Sequence, residues 1–174
     1  MILETKRLIL RNICMNDAND IFEYSKSPNV GPKAGWKPHE NIQETKEIIK
    51  SVFIDEPYVF GIIIKETNKL IGSLGLIKDP KRDNPKCLMI GYSLSEDYWN
   101  NGYMTEAVNK LVEYGFEQLH LDLISAYCYP NNFASRSVLR KTGFSLEGVL
   151  KQCELLYTGE VLDNECYYIL NKNY

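Results

Sequence analysis

The chain has 174 residues, a mass of 20.1 kDa, a formal net charge of −3 at pH 7 and a pI of about 5.5. That length suits one domain over 1–174 with a core it can bury unaided, and 44% hydrophobic with 25% charged residues excludes a disordered or fibrous chain. No long basic block offers a footprint for nucleic acid, the longest apolar run, 58–64, is too short to cross a bilayer, and the N-terminus lacks the order of a signal peptide. The expectation is a cytoplasmic protein without a nucleic-acid or membrane partner.

Residues 5–12 read as a first strand, with Leu8 and Leu10 alternating against Arg7, Ile9 and Arg11. Residues 17–26 and 41–54 carry apolar residues at helical spacing, and the proline- and glycine-bearing stretch 27–40 between them reads as a loop. Two continuous apolar strands, 58–64 and 70–77, flank Glu66-Thr67-Asn68-Lys69 and predict a hairpin. A polar turn at 79–86 leads to a third strand at 87–95. The period then changes: Met104, Ala107, Val108, Leu111, Val112 and Gly115 form one apolar stripe of a helix over 103–119. A strand at 123–129 stops at Pro130, a short helix over 132–142 ends at Gly143, and strands at 144–156 and 161–170 close the chain around a turn at 157–160. This order predicts α/β with a mixed sheet. Five widely spaced cysteines without C-x-x-C, and two distant histidines, predict no disulfide framework and no metal site.

Three stretches carry chemistry. Residues 98–106, Tyr-Trp-Asn-Asn-Gly-Tyr-Met-Thr-Glu, join a strand end to the long helix. The first N–H groups of a helix lack internal partners and, with the helix dipole, suit phosphate oxygens. Gly102 removes a Cβ where a ligand would approach, and Asn100 and Asn101 tolerate left-handed turns that gather N–H groups into a nest; an ordinary strand-to-helix connection is the simpler reading. The Walker and G-x-G-x-x-G patterns are absent, which leaves a kinase or dehydrogenase little support. In the second stretch, 129–144, a proline ends a strand and an asparagine caps a helix, with Asn131 read first as a plain cap. In the third, 146–154, Glu154 is a lone acid in an otherwise apolar strand, a pattern that most often marks a solvent-facing residue.

Together with Leu3 to Arg11 and Ile90-Gly91-Tyr92-Ser93-Leu94, these stretches resemble, in order and over essentially the whole chain, the GNAT superfamily of N-acetyltransferases. The likeness is closest to the branch of ribosomal-protein-alanine N-acetyltransferases (RimJ/RimL-like). The resemblance implies a mixed, mostly antiparallel sheet with helices on both faces. Two parallel strands, 87–95 and 123–129, would splay around acetyl-CoA. The implied phosphate loop comprises Trp99, Asn100, Asn101, Gly102, Tyr103, Met104 and Thr105; Trp99, Asn100 and Met104 depart from the usual residues, but the contacts are mainly main-chain. Asn132 would meet the pantetheine arm. The oxyanion would be held by an N–H at Ser93 or Leu94.

Acetyl transfer needs an amine stripped of its proton, since a lysine-like amine has a pKa near 10.4, a base to accept that proton, and a donor for the departing thiolate. The resemblance implies Glu154 as base and as attractor of the cationic substrate, with Tyr127, Tyr129 and Glu147 next in line. It implies Ser135 as thiolate partner, because Leu139 stands where many relatives have tyrosine and cannot donate. Trp36, in the loop on the acceptor side, is a candidate substrate contact, or packs the loop onto the helix below. The implied activity is transfer of acetyl from the thioester to a primary amine, either a protein N-terminus or a small amine, by a chain compatible with a homodimer. The alternative is a non-catalytic acyl-CoA-binding regulatory module.

Overall fold

The structure, a computed structural model, describes residues 1–171, so the last three residues of the expected domain lie outside the described residues. In chain order its regular elements are β1 (Ile2–Glu4), β2 (Leu8–Arg11), α1 (Ala18–Ser25), α2 (Ile42–Ile48), β3 (Val59–Ile64), β4 (Leu70–Lys78), β5 (Cys87–Leu94), α3 (Tyr103–Glu117), β6 (Leu123–Cys128), α4 (Phe133–Lys141), β7 (Ser145–Leu155) and β8 (Val161–Leu170). The strands form one sheet in the order β1-β2-β3-β4-β5-β6-β8-β7. Every neighbouring pair is antiparallel except β5 and β6.

The continuous apolar character of β3 and β4 follows from their place at the centre, where helices cover both faces. On one face Leu8, Leu10, Phe60, Ile62, Leu74 and Ile90 pack against Val108 and Leu111 of α3 and Leu139 of α4. On the other, Ile63 and Leu70 pack with Ile21 and Tyr24 of α1 and with Ile49 after α2. All six residues of the α3 stripe are buried. Each large aliphatic side chain removed from water in this way contributes about 1.5–3 kcal/mol before entropy is counted.

Two elements differ from expectation. The first strand is a hairpin: β1 pairs with β2 in the register Leu3↔Leu10, across a turn in which Thr5 Oγ1 accepts from the Leu8 N–H at 2.9 Å. The polar run Thr5-Lys6-Arg7 and a three-residue β1 hid it. The helix expected over 41–54 stops as α-helix at Ile48 and continues as a π-turn over Ile49–Phe53. Within the 27–40 loop a 3-10 turn forms at Gly31–Ala34.

Cys87, Cys128 and Cys166 are buried, Cys14 and Cys153 are exposed, and all five are free. Among the described residues no group of histidine, cysteine and acidic side chains suits a metal ion, and no helix is long and apolar enough to cross a membrane.

Candidate active site

The parallel pairing of β5 and β6 lasts only from Cys87↔Leu123 to Met89↔Ser125. Beyond it the strands diverge and the sheet opens into a fork. The Ser95 N–H donates to the Ile71 carbonyl at 2.8 Å, which sets the phase of the β4–β5 ladder. Gly91 and Ser93 therefore turn their main-chain groups to β4, while Tyr92 and Leu94 turn theirs toward the opening. The Leu94 carbonyl is taken by the Trp99 indole N–H at 2.9 Å, which leaves the Leu94 N–H facing the gap. Of the two positions expected to offer an N–H there, Leu94 has the right phase and Ser93 does not. The Ser93 hydroxyl lies 3.2 Å from that of Ser73.

At the mouth of the fork the chain passes through two left-handed residues, Asn100 (φ 62°) and Gly102 (φ 77°), before entering α3. The first bond of α3 runs from the Glu106 N–H to the Gly102 carbonyl at 3.0 Å, so the N–H groups of Tyr103, Met104 and Thr105 precede the helical ladder. Met104 is buried in the main core, which points its side chain away from the loop and leaves only its main chain at the surface. A clamp fixes this bend. Glu106 accepts from the Thr5 hydroxyl (2.6 Å), the Arg7 N–H (2.8 Å) and Arg7 Nε (2.7 Å). Arg7 also donates to the Asn101 carbonyl at 3.0 Å and lies 4.3 Å over the Tyr103 ring. Burial opposes ionisation of Glu106, but the donors from Thr5 and Arg7 outweigh it and hold the carboxyl below its usual range. Arg7 was absent from the sequence-derived site; its signal was its place in the N-terminal stretch that carries the resemblance.

Gly102 is required for its dihedral rather than for space, since a Cβ there would meet Arg7 only at 3.5 Å. Gly102→Val is expected to leave the protein folded and to weaken coenzyme A binding roughly tenfold or more, because a β-branched residue resists this φ; Gly102→Asn, which tolerates it, should bind nearly as well as the parent. Calorimetry with coenzyme A checks both, and equal affinity for the valine variant would place the phosphates elsewhere.

The fork opens on a cavity of about 590 Å³. Ser93, Leu94, Trp99, Asn100, Gly102, Tyr103, Met104 and Thr105 line it, as do Asn132, Ser135 and Glu154. Asn132, not Asn131, caps α4: its Oδ1 accepts from the Ser135 N–H at 3.1 Å, and its Nδ2 donates to the Lys33 carbonyl at 3.1 Å. Its amide therefore fastens the 3-10 turn across the mouth of the fork. The Ser135 hydroxyl lies 2.9 Å from the Tyr92 phenol, and burial raises the Tyr92 pKa well above the usual tyrosine range, so that phenol stays protonated. Tyr92 went unassigned in the sequence, although it stands in the Ile90–Leu94 stretch. Leu139 is fully buried in the core and contributes nothing polar.

Glu154 enters the cavity from β7, its Oε2 accepting from Asn164 Nδ2 at 3.1 Å. Beside it, burial and then the Glu154 charge raise the Tyr129 phenol. Tyr127 is committed elsewhere, donating to the Asp79 carboxylate at 2.9 Å, and Glu147 is ion-paired with Arg82. Two expected residues do not reach the cavity. Trp36 packs on the backbone of Gly31, where a Cβ would sit 2.6 Å from its ring, and lies 5.2 Å from the His39 ring; it pins the loop onto the α1–α2 layer. Asn101 is exposed and turns its side-chain amide back to the Trp99 carbonyl at 2.9 Å.

The sequence matches the acetyltransferase (GNAT) domain family over residues 7–145. The uncharacterized N-acetyltransferase YoaA of Bacillus subtilis (strain 168) is 34% identical over 97% of this chain and 96% of its own. The ribosomal protein uS5-alanine N-acetyltransferase of Escherichia coli (strain K12) is 27% identical over 93% of this chain and 87% of its own. A crystal structure of a GNAT-family acetyltransferase from Bacillus anthracis superposes with a TM-score of 0.88 at 25% identity, covering 99% of each chain. The microcin C7 self-immunity acetyltransferase MccE, solved in complex with acetyl-CoA and AMP, superposes with a TM-score of 0.81 at 25% identity over 95% of this chain and 93% of its own. By this match over most of its length, the chain belongs to the GNAT family of acetyltransferases.

Proposed function

We propose that the chain is an acetyl-CoA-dependent N-acetyltransferase that acetylates a primary amine by direct attack. When bound, acetyl-CoA supplies an activated acetyl thioester. The residues present suit it: unladdered N–H groups at 103–105 for phosphate oxygens, a diverging strand edge for the pantetheine amides, and Lys33 and Lys141 on the cavity wall for the remaining negative charge. Lys33 lies 4.9 Å over the Trp99 ring, next to the loop.

The chain's own groups then divide the proton work. Glu154 attracts the substrate ammonium and takes its proton, directly or through water. The Leu94 N–H donates to the carbonyl oxygen as negative charge builds on it. Ser135, positioned by its 2.9 Å contact with the Tyr92 phenol, returns a proton to sulfur. A nitrogen–carbon bond replaces the carbon–sulfur bond; of the two protons the ammonium nitrogen loses, one is taken up at Glu154 and the other, passed through water, restores the proton that Ser135 gives to the thiol.

The observation that carries this reading is that the phosphate-type loop, the fork and Glu154 border a single cavity. Mixing the protein with acetyl-CoA and a panel of amines and peptides, and following free thiol, tests the transfer. Acetyl-CoA at about 100 times its Kd should also stabilise the fold by about 2.7 kcal/mol. The absence of both a melting shift and binding heat would remove the cofactor assignment.

A further inference from the structure

The turn between β4 and β5 builds a second charged feature into the same cavity. Asp79 is 1% exposed. Its carboxylate accepts from the Ser125 hydroxyl, from the Tyr127 phenol at 2.9 Å and from the Lys81 N–H at 2.7 Å. Arg82 Nε lies 3.3 Å from it, and the same guanidinium reaches Glu147 on β7. The Lys81 ammonium rests 4.4 Å over the Tyr127 ring. One buried carboxylate thus fixes both the backbone that carries Lys81 and the ring on which its charge sits. Among the described residues Lys81 has no carboxylate partner, although it borders the cavity.

The charged side chains on the cavity wall are Lys33, Lys81, Lys141 and Glu154. Lys33 stacks on Trp99 beside the phosphate-type loop, and Lys141 ends α4. Lys81 is different. Tyr127 and Tyr129 alternate with Ala126 and Cys128, which face the α3–α4 core, so Tyr127 and the lysine on it lie on the opposite face of the sheet. Tyr129, whose phenol feels the Glu154 charge, shares that face. Lys81 therefore shares the acceptor side with Glu154; Lys33 is on that side too, but its charge sits over Trp99 beside the phosphate-type loop.

We propose that Lys81 is a specificity-determining residue that selects acceptor amines bearing a carboxylate or phosphate, the ammonium facing Glu154 and the anionic group facing Lys81. This rests on the acetyl-transfer reading of the cavity. A polyamine would turn its second ammonium toward an unneutralised lysine, and like-charge contacts of this kind exclude wrong partners. An exposed ammonium resting on a ring at the cavity wall is open to an incoming anion.

The test uses the full chain, acetyl-CoA and matched acceptors, with thiol release as readout. The acceptors are ω-amino acids of increasing length against their amides, phosphoethanolamine against ethanolamine, and spermidine. The parent protein should favour the anionic member of a pair by about fivefold in kcat/KM, the upper end of what one exposed charge pair allows, and should use spermidine poorly. Whether the carboxylate or the phosphate series gives the larger ratio identifies the anion. Lys81→Ala should bring the ratio close to one with the KM for acetyl-CoA unchanged, and Lys81→Glu should reverse it. A parent that prefers amides or spermidine, or a preference that survives Lys81→Ala, overturns the proposal. No thiol release with any amine, despite acetyl-CoA binding, would instead sink the transfer reading and this proposal with it.

Discussion

Glu154→Gln is expected to slow acetyl transfer about 100-fold or more, within the range of general-base contributions. The substitution keeps the shape and the Asn164 contact on the side-chain oxygen (3.1 Å in the parent) while removing the charge and the basicity. Coenzyme A affinity should stay within about twofold, because the proposed phosphate site is the loop at 99–105 before α3 and Glu154 is on β7. Raising the pH should restore part of the variant's rate, since solvent then supplies more free amine. Stopped assays of kcat across pH, with calorimetry for coenzyme A, separate these effects. A variant that keeps the parent's rate with a good acceptor makes Glu154 a rim charge and moves attention to Tyr129. Tyr127 and Glu147 are already bound to Asp79 and Arg82. A variant that keeps its coenzyme A affinity but loses turnover distinguishes an enzyme from a binding module.

Asp79→Ala is expected to cost about 3–5 kcal/mol of folding stability, the range for removing one member of a buried charge network. Four donors, the Lys81 N–H, the Ser125 and Tyr127 hydroxyls and the Cys87 thiol, would lose their acceptor, and Arg82, whose Nε has no hydrogen-bond partner beyond this ion pair, would keep only Glu147. For a chain of this size that is a fall in Tm of roughly 10 °C or more. The pH dependence has a definite sign. Burial works against the charged form, but hydrogen bonds from Ser125, the Lys81 N–H and Tyr127, with the Arg82 charge, outweigh it and lower the Asp79 pKa. Its contribution is complete above the ordinary aspartate range and is lost as the pH falls through the lowered folded value. The parent should therefore lose stability relative to the alanine variant as the pH drops below about 4. Thermal melts at pH 7 and pH 3 check both points, and a loss below about 0.5 kcal/mol would reduce the network to surface decoration.

The sequence carried the parts of this fold that rest on periodicity and punctuation. The stripe from Met104 to Gly115, the apolar runs of β3 and β4 and the Pro130 stop all have local causes. The N-terminal hairpin did not, because β1 is only three residues long and its turn is made of residues that also suit a strand. The site divides in the same way. Asn100, Gly102 and the helix entry were legible because their role is a backbone dihedral, which residue type constrains. Trp36 was ambiguous because an aromatic in a loop packs equally well against a ligand or its own backbone, and Gly31 decided the matter. Tyr92, Arg7 and Asp79 were hidden. Each acts through a partner distant in sequence (Ser135, Glu106, and Ser125 with Tyr127), and no single-chain pattern encodes that proximity.

The narrow seam between β5 and β6 also bears on how the chain acquires its structure. All ladders of β1 to β5 close within residues 2–94, and those of β6, β8 and β7 within 123–170. The two groups share only the pairs Cys87↔Leu123, Leu88↔Ile124 and Met89↔Ser125. During synthesis the first group can form the hairpins β1–β2, β3–β4 and β4–β5 by short closures, and pair β2 with β3 across residues 12–58, before β6 has been made. Helix α3 can then dock its stripe on Leu8, Leu10, Phe60 and Ile62. The last closure brings the second group onto those three pairs and seals the core with Leu139 and Phe144. That closure leaves the strands parted above it, so the space in which acetyl transfer takes place comes into existence only when the two halves join.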